Sequence, residues 1–197
     1  MPLTAYDPSR DYGPLAFDIP KRFVQSFIYE VPVGRGRRFQ PGGVAGALAG
    51  NWMINGILTL NDGRPFTITA TDRANTGPGR QSRANCTGDP LPSGFDQTID
   101  KWFDTSAFAE TAPFTYGNCS FNTVRGPRSK TMNMSVFRTF PLGDVRRLEL
   151  RLEGFNVFNW TNYDFPSASV SNQATFGRIT GTLGDPREMQ LAVKLYF

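Results

Sequence analysis

Strict alternation of apolar and polar residues, a closing stretch that ends on a bare Phe, and a wealth of aromatic, Gly and Pro residues predict the fold class. It is all-β: an antiparallel transmembrane β-barrel segment of about five long strands with long extracellular loops. The closing stretch carries most of this reading. Arg187 to Phe197 is R-E-M-Q-L-A-V-K-L-Y-F, with Met189, Leu191, Val193 and Leu195 at odd positions and Glu188, Gln190, Ala192 and Lys194 at even ones. Period two marks a strand with one apolar and one wetter face. Soluble domains seldom finish on an apolar aromatic, because terminal residues fray into water. A strand of a membrane barrel needs about 9–11 residues, apolar toward lipid and polar toward the lumen. This stretch meets both conditions.

Composition agrees. Of 197 residues, 39% are hydrophobic, and the mean hydropathy of −0.35 is modest, as one-sided strands require. The 20 Gly and 15 Pro residues exceed the usual joint share of roughly 12%, so turns and loops are extensive. The 17 Phe residues suit strands and membrane interfaces. A net charge of +4 from 21 basic and 17 acidic residues, with the signs mixed, does not point to nucleic acid. No His is present, which removes the commonest general base and metal ligand. With no nucleophile elbow, paired acid/base spacing or triad, no enzyme activity, cofactor or metal is expected. Met1 to Gly13 lacks the basic and apolar regions of a signal peptide, and no run of about 18 apolar residues could span as a helix. Because an outer-membrane protein must be exported, residues 1–197 are expected to be the C-terminal part of a longer barrel domain.

In chain order, Tyr6 to Pro20 is Pro-broken and reads as a loop. Arg22 to Val31 puts Phe23, Phe27, Tyr29 and Val31 on one parity and Arg22, Ser26 and Glu30 on the other, predicting a strand ended by Pro32 and Gly34/Gly36. Gly34 to Gly50 holds an Arg cluster and a small-residue run, V-A-G-A-L-A-G. For the Arg cluster a solvated turn is preferred over an anion site, since no strand-loop-helix context makes a phosphate cradle. Asn51 to Leu60 alternates again, with Trp52, Ile54, Leu58 and Leu60 opposite Asn55 and Thr59. Phe66, Ile68 and Ala70 keep the same parity. Asn61-Asp62-Gly63 is then either a hairpin turn or a bulge in one long strand, and the preserved parity favours the bulge.

Asp72 to Lys130 shows no sustained period, and aperiodic stretches of that length tend to be functional. It holds Cys86 and Cys119. Two Cys without His make a poor metal site, so a disulfide pinning this loop is read in preference to free thiols, which implies an oxidising compartment. Trp102 is expected to pack the loop onto itself rather than bind ligand. Thr131 to Phe140 alternates Met132, Met134 and Val136 against Asn133, Ser135 and Thr139, with Phe137 and Arg138 breaking the rule. A short turn, Pro141 to Val145, follows.

Arg147 to Glu153 alternates cleanly. Leu148, Leu150 and Leu152 take one side and Arg147, Glu149, Arg151 and Glu153 the other. An Arg at mid-depth on the lipid face costs roughly 2–4 kcal/mol, so only one orientation is admissible. Leu148, Leu150, Leu152, Met189, Leu191, Val193 and Leu195 are expected to face lipid. Arg147, Glu149, Arg151, Glu153, Glu188, Gln190 and Lys194 are expected to face the lumen. Phe158, Trp160 and Tyr163 suit one interfacial girdle and Phe140, Tyr196 and Phe197 the other. Ser167 to Pro186 reads as a second long loop. Long connections then fall on one side and shorter ones on the other, as in outer-membrane barrels, and five strands alone leave an open edge.

The residues also resemble a family. D-I-P-K-R-F-V-Q-S-F-I-Y-E-V-P-V-G-R-G-R-R-F, N-W-M-I-N-G-I-L-T-L-N-D-G-R-P-F-T-I, W-F-D-T-S-A-F, N-T-V-R-G-P, L-E-L-R-L-E-G-F-N-V-F-N-W-T-N-Y and F-G-R-I-T-G-T-L-G-D-P-R-E-M-Q-L-A-V-K-L-Y-F are similar to the C-terminal end of TonB-dependent outer-membrane receptors of the Oar-like group. The resemblance implies part of a 22-stranded barrel that takes up a large or scarce nutrient. It further implies an N-terminal plug, energy from the TonB complex, and Phe197 as the signal read by the barrel-assembly machinery. Outer-membrane lipid and an unknown transported ligand complete the expected partners. The alternative is a secreted soluble β-sandwich binding module for carbohydrate, using Trp102, Trp160 and Tyr163 as stacking platforms.

Overall fold

The computed structural model describes residues 7–34, 36–75, 82–143 and 145–197. Tyr6 of the expected first loop, Arg35 of the Arg cluster, residues 76–81 of the long aperiodic stretch and Asp144 of the expected hairpin turn lie outside the described residues.

After a short 3-10 turn at Pro8–Asp11 come β1 (Arg22–Glu30), a short helix α1 (Gly43–Ala49) and β2 (Trp52–Asn61). Six two-residue strands follow: β3 (Pro65–Phe66), β4 (Thr69–Ala70), β5 (Ser82–Arg83), β6 (Asn85–Cys86), β7 (Phe108–Ala109) and β8 (Val124–Arg125). The chain closes with β9 (Ser129–Leu142), β10 (Arg146–Phe155) and β11 (Glu188–Tyr196). The five long strands form one sheet in the order β1-β2-β9-β10-β11, matching the five expected. They belong to one compact unit (22–61, 130–161 and 184–197); the remaining segments (1–21, 62–129 and 162–183) form a second.

In the sheet unit β1 pairs antiparallel with β2, Phe23 opposite Leu60, Phe27 opposite Gly56 and Tyr29 opposite Ile54. The predicted apolar parities therefore fall on one face. The other face is mixed, with Val24 opposite Thr59 and Ile28 opposite Asn55. Asparagines set the exit from β10. Asn156 (φ 47°) and Asn159 (φ 51°) adopt the left-handed conformation that Asn tolerates better than other side chains with a Cβ. Asn156 accepts a hydrogen bond from the Trp160 N–H and donates from Nδ2 to the Trp160 carbonyl, each 3.0 Å. Asn159 Oδ1 accepts from the Arg187 N–H at 3.0 Å, one residue before β11. The aromatic-and-Asn run after β10 is thus a built turn.

The loop unit has its own core: Phe66, Ile68, Ala84, Phe103, Ala107, Phe108, Cys119, Val124, Val170 and Phe176. Phe103 is central, 5.1 Å from Phe176 and 5.5 Å from Phe108, both edge-on, the geometry that aromatic quadrupoles favour. The expected disulfide is present: Cys86 and Cys119 are bonded with Cα atoms 5.0 Å apart. Trp102 behaves as expected, its indole N–H donating to the Arg125 carbonyl at 2.8 Å while the ring packs on the core. Arg83, itself buried, pairs with Asp11, and Asn122 donates from Nδ2 to the Pro14 carbonyl, tying in the segment before β1.

One expectation is corrected. Asn51 to Ala70 is not one bulged strand, nor does Asn61-Asp62-Gly63 make a hairpin. The sheet strand ends at Asn61, and β3 and β4 pair with β8 and β5. Gly63 packs so closely on the Gly126 carbonyl that a Cβ there would collide with it. The parity persists because Phe66 and Ile68 enter a core of their own. The small-residue run, for which the sequence pattern gave no reading, folds as α1, the Gly50 N–H closing it on the Gly46 carbonyl at 3.1 Å.

Candidate functional site

The register of β9, β10 and β11 builds a wall with two chemically distinct faces. Cross-strand partners share a face, because side chains alternate along each strand while opposite residues point the same way. One face carries the rows Phe140–Leu148–Leu195, Arg138–Leu150–Val193, Val136–Leu152–Leu191 and Met134–Gly154–Met189. The other carries Pro141–Arg147–Tyr196, Thr139–Glu149–Lys194, Phe137–Arg151–Ala192 and Ser135–Glu153–Gln190, with Glu188 opposite Phe155 beyond them. All seven residues expected to face lipid lie on the first face. All seven expected to face a lumen lie on the second.

The polar face is internally bonded. The Arg151 guanidinium bridges two carboxylates on its own strand, 3.1 Å from Glu149 and 3.2 Å from Glu153, and its cation lies 4.9 Å from the centre of the Phe137 ring. Ser135 Oγ donates to Asn55 Oδ1, continuing the polar contacts toward β2. At the turn end the Arg147 guanidinium sits 4.3 Å from the centre of the Tyr196 ring. In half-buried pairs such as these desolvation offsets much of the attraction, so the ladder matters mainly as a wettable, charge-balanced surface. The burial of Glu149, 9% exposed, is compatible with its charge because Arg151 compensates it.

On the apolar face Leu152, Met189, Leu191, Val193 and Leu195 are exposed, Leu191 at 68%. Leu148 and Leu150 are half-buried. Neighbouring rows give a continuous sheet of such side chains, the kind of patch that marks an interaction surface.

Phe137 and Arg138, which broke the alternation in the sequence, do not mark a bulge. Pairing of β9 with β10 runs uninterrupted from Leu142–Arg146 to Met134–Gly154. The exception is chemical. Phe137 joins the polar face and Arg138 the apolar one. Strand parity alone would have placed Asn55, Ser135 and Phe137 beside the Glu149–Arg151–Glu153 ladder, although their partners needed the register. Of the expected girdle, Phe158 and Trp160 are 5.0 Å apart, with the Lys130 ammonium 5.0 Å from the centre of the Trp160 ring. Tyr163 belongs to the loop unit, where it bridges to Thr182. Phe197 follows β11 and is almost fully exposed.

In the loop unit the Asp104 carboxylate caps the 3-10 turn Thr105–Ala107, accepting from the Ser106 N–H at 3.2 Å. Hydrogen bonds from the Ser106 side chain and backbone, with Lys101 nearby, hold this carboxyl below the usual aspartate range. Among the described residues no cluster of three or more His, Cys, Asp or Glu could hold a metal ion. No helix among them is long and apolar enough to cross a membrane, which says nothing of strands.

No curated protein and no solved structure matches the chain. Residues 1–190 match the family described as an outer membrane beta barrel domain. The chain therefore belongs to the outer membrane β-barrel domain family and is a protein of the bacterial outer membrane.

Proposed function

We propose that the chain is barrel wall and loops of a TonB-dependent receptor of the Oar-like group, one that takes up a large or scarce nutrient across the outer membrane. The observation that carries this reading is the register of β9, β10 and β11, which sorts seven aliphatic and seven polar side chains onto opposite faces. In this reading the aliphatic rows meet acyl chains and the Glu149–Arg151–Glu153 ladder lines an aqueous bore. Both halves follow from cost: charges on the lipid face are penalised in proportion to depth, whereas lumen positions tolerate them. The ordered sequence blocks quoted above support the receptor class. The disulfide-locked loop unit, built on an aromatic core, supports a role in ligand capture or gating, since binding residues concentrate on loops positioned by a rigid scaffold. TonB supplies the energy, a barrel of 22 strands completes the wall, and Phe197 serves as the signal to the assembly machinery.

The test is growth of a strain lacking the gene on a panel of limiting iron chelates, cobalamin, oligosaccharides and peptides, beside strains lacking TonB or treated with a protonophore. The reading expects loss of growth on at least one source, with the same loss when energy coupling is removed. Normal growth on every source, or a loss that persists unchanged when TonB is irrelevant to the parent strain's uptake of that source, would overturn it.

A further inference from the structure

Helix α1 connects β1 to β2 and contains no charged residue in its sequence G-V-A-G-A-L-A. Its side chains Val44 and Leu48 are 74% and 66% exposed. A short apolar helix displayed to water would be unfavourable, and isolated helices of this length do not persist on propensity alone. Something holds α1 in place. The Leu48 carbonyl, in its last turn, accepts from the indole N–H of Trp52 at 3.0 Å and from the guanidinium of Arg138. Arg138 lies on the apolar face, opposite Leu150, yet is only 5% exposed. Its cation lies 4.3 Å from the centre of the Phe140 ring and 5.6 Å from that of Trp52. A cation at a helix C-terminus and over aromatic faces is favourable on both counts. Arg138 breaks the sequence pattern because it tethers the helix to the apolar side.

We infer that α1 is an interfacial anchor: it lies in the headgroup and upper acyl region of the phospholipid leaflet next to the turn end of the sheet, with Val44 and Leu48 inserted among the chains. Two further features fit this occupant. The apolar rows of the wall continue past Arg138 to Phe140. The turn before α1 carries a cation that complements lipid phosphate, Arg38, stacked 5.5 Å from the centre of the exposed Phe39 ring, while Arg37 is paired with Glu30. Aromatic and basic side chains beside an apolar helix are the composition that seats a segment at this depth.

This inference rests on the face assignment proposed above, and the experiment separates the two. Both cysteines of residues 1–197 are in the disulfide, so a cysteine introduced into this chain is the sole free thiol within it. Leu48→Cys, Val44→Cys, Leu191→Cys and Gln190→Cys are labelled with an environment-sensitive fluorophore. The proteins are reconstituted in phosphatidylethanolamine/phosphatidylglycerol vesicles containing spin-labelled lipid. The expected result is blue-shifted emission and quenching by lipid at positions 44, 48 and 191, with neither at position 190. Quenching at 191 but not at 44 or 48 would overturn the anchor alone. Absence of quenching at 191 would remove the face assignment and the anchor with it.

Discussion

The sheet unit and the loop unit handle their apolar residues in opposite ways. In β10 and β11 the aliphatic side chains sit in cross-strand rows on one face and several remain exposed, Leu191 at 68%. In the loop unit Phe103 and Ile68 are fully buried in a core gathered from segments far apart in the chain. The first arrangement leaves an apolar surface uncovered, which the proposed reading assigns to lipid, while the second excludes water by itself. On that reading a wall held by long strand ladders with few buried side chains needs the membrane for its stability. A core of interlocked aromatics with a disulfide does not. The two units are therefore expected to fail under different perturbations.

The largest separation should come from Phe103→Ala. Removing a fully buried ring costs about 3–5 kcal/mol, so the loop unit should become susceptible to protease added outside cells. The barrel should still reach the outer membrane with unchanged heat-modifiable migration on gels. Loss of the barrel itself would join what the comparison separates. Next is the disulfide. Cys86 and Cys119 are 33 residues apart, and closing a loop of that size restricts the unfolded chain by roughly 3–4 kcal/mol. The double Cys→Ala variant should show lowered thermal protection of the loop unit only, and a wall that melts in parallel would count against it. Leu150→Arg attacks the other unit. At roughly 2–4 kcal/mol near mid-depth it should block membrane assembly, whereas Glu149→Gln should not, as read from outer-membrane yield. Equal tolerance at the two positions defeats the face assignment.

The smallest effect is on the Asp104 cap. Its folded-state pKa is depressed, so its contribution is present above the unfolded aspartate value of about 4 and disappears as the pH falls through the lower folded value. Ser106→Ala should move the titration midpoint of the Asp104 carboxyl upward, observable in the carboxyl-carbon chemical shift. An unmoved midpoint would remove the Ser106 hydroxyl as a cause of the depression, leaving only the backbone cap.

How much of each unit could be read from the residues follows from the same contrast. A wall strand repeats one decision every two residues, so Arg147 to Glu153 and Met189 to Leu195 announce both strand and face. The core of the loop unit has no such period. Its strands are two residues long, and Phe66, Phe103 and Phe176 meet only through chain reversals that no local pattern encodes. Parity even misled at one place. Phe66 and Ile68 continue the alternation of β2, but the sheet strand ends at Asn61 and both residues enter a separate core. Arg138 was visible as an exception, although its partner, a carbonyl of α1 about ninety residues earlier, was not. The Cys pair was readable because two thiols in one aperiodic stretch had few other roles.

The central claim is the sidedness of β11, and single cysteines along it test that claim most directly. Gln190→Cys, Leu191→Cys, Val193→Cys and Lys194→Cys, assembled in outer membranes, are exposed to a water-soluble, membrane-impermeant maleimide. Labelling should alternate, strong at 190 and 194 and weak at 191 and 193. Uniform labelling, or the opposite alternation, would contradict a wall with its aliphatic rows in lipid.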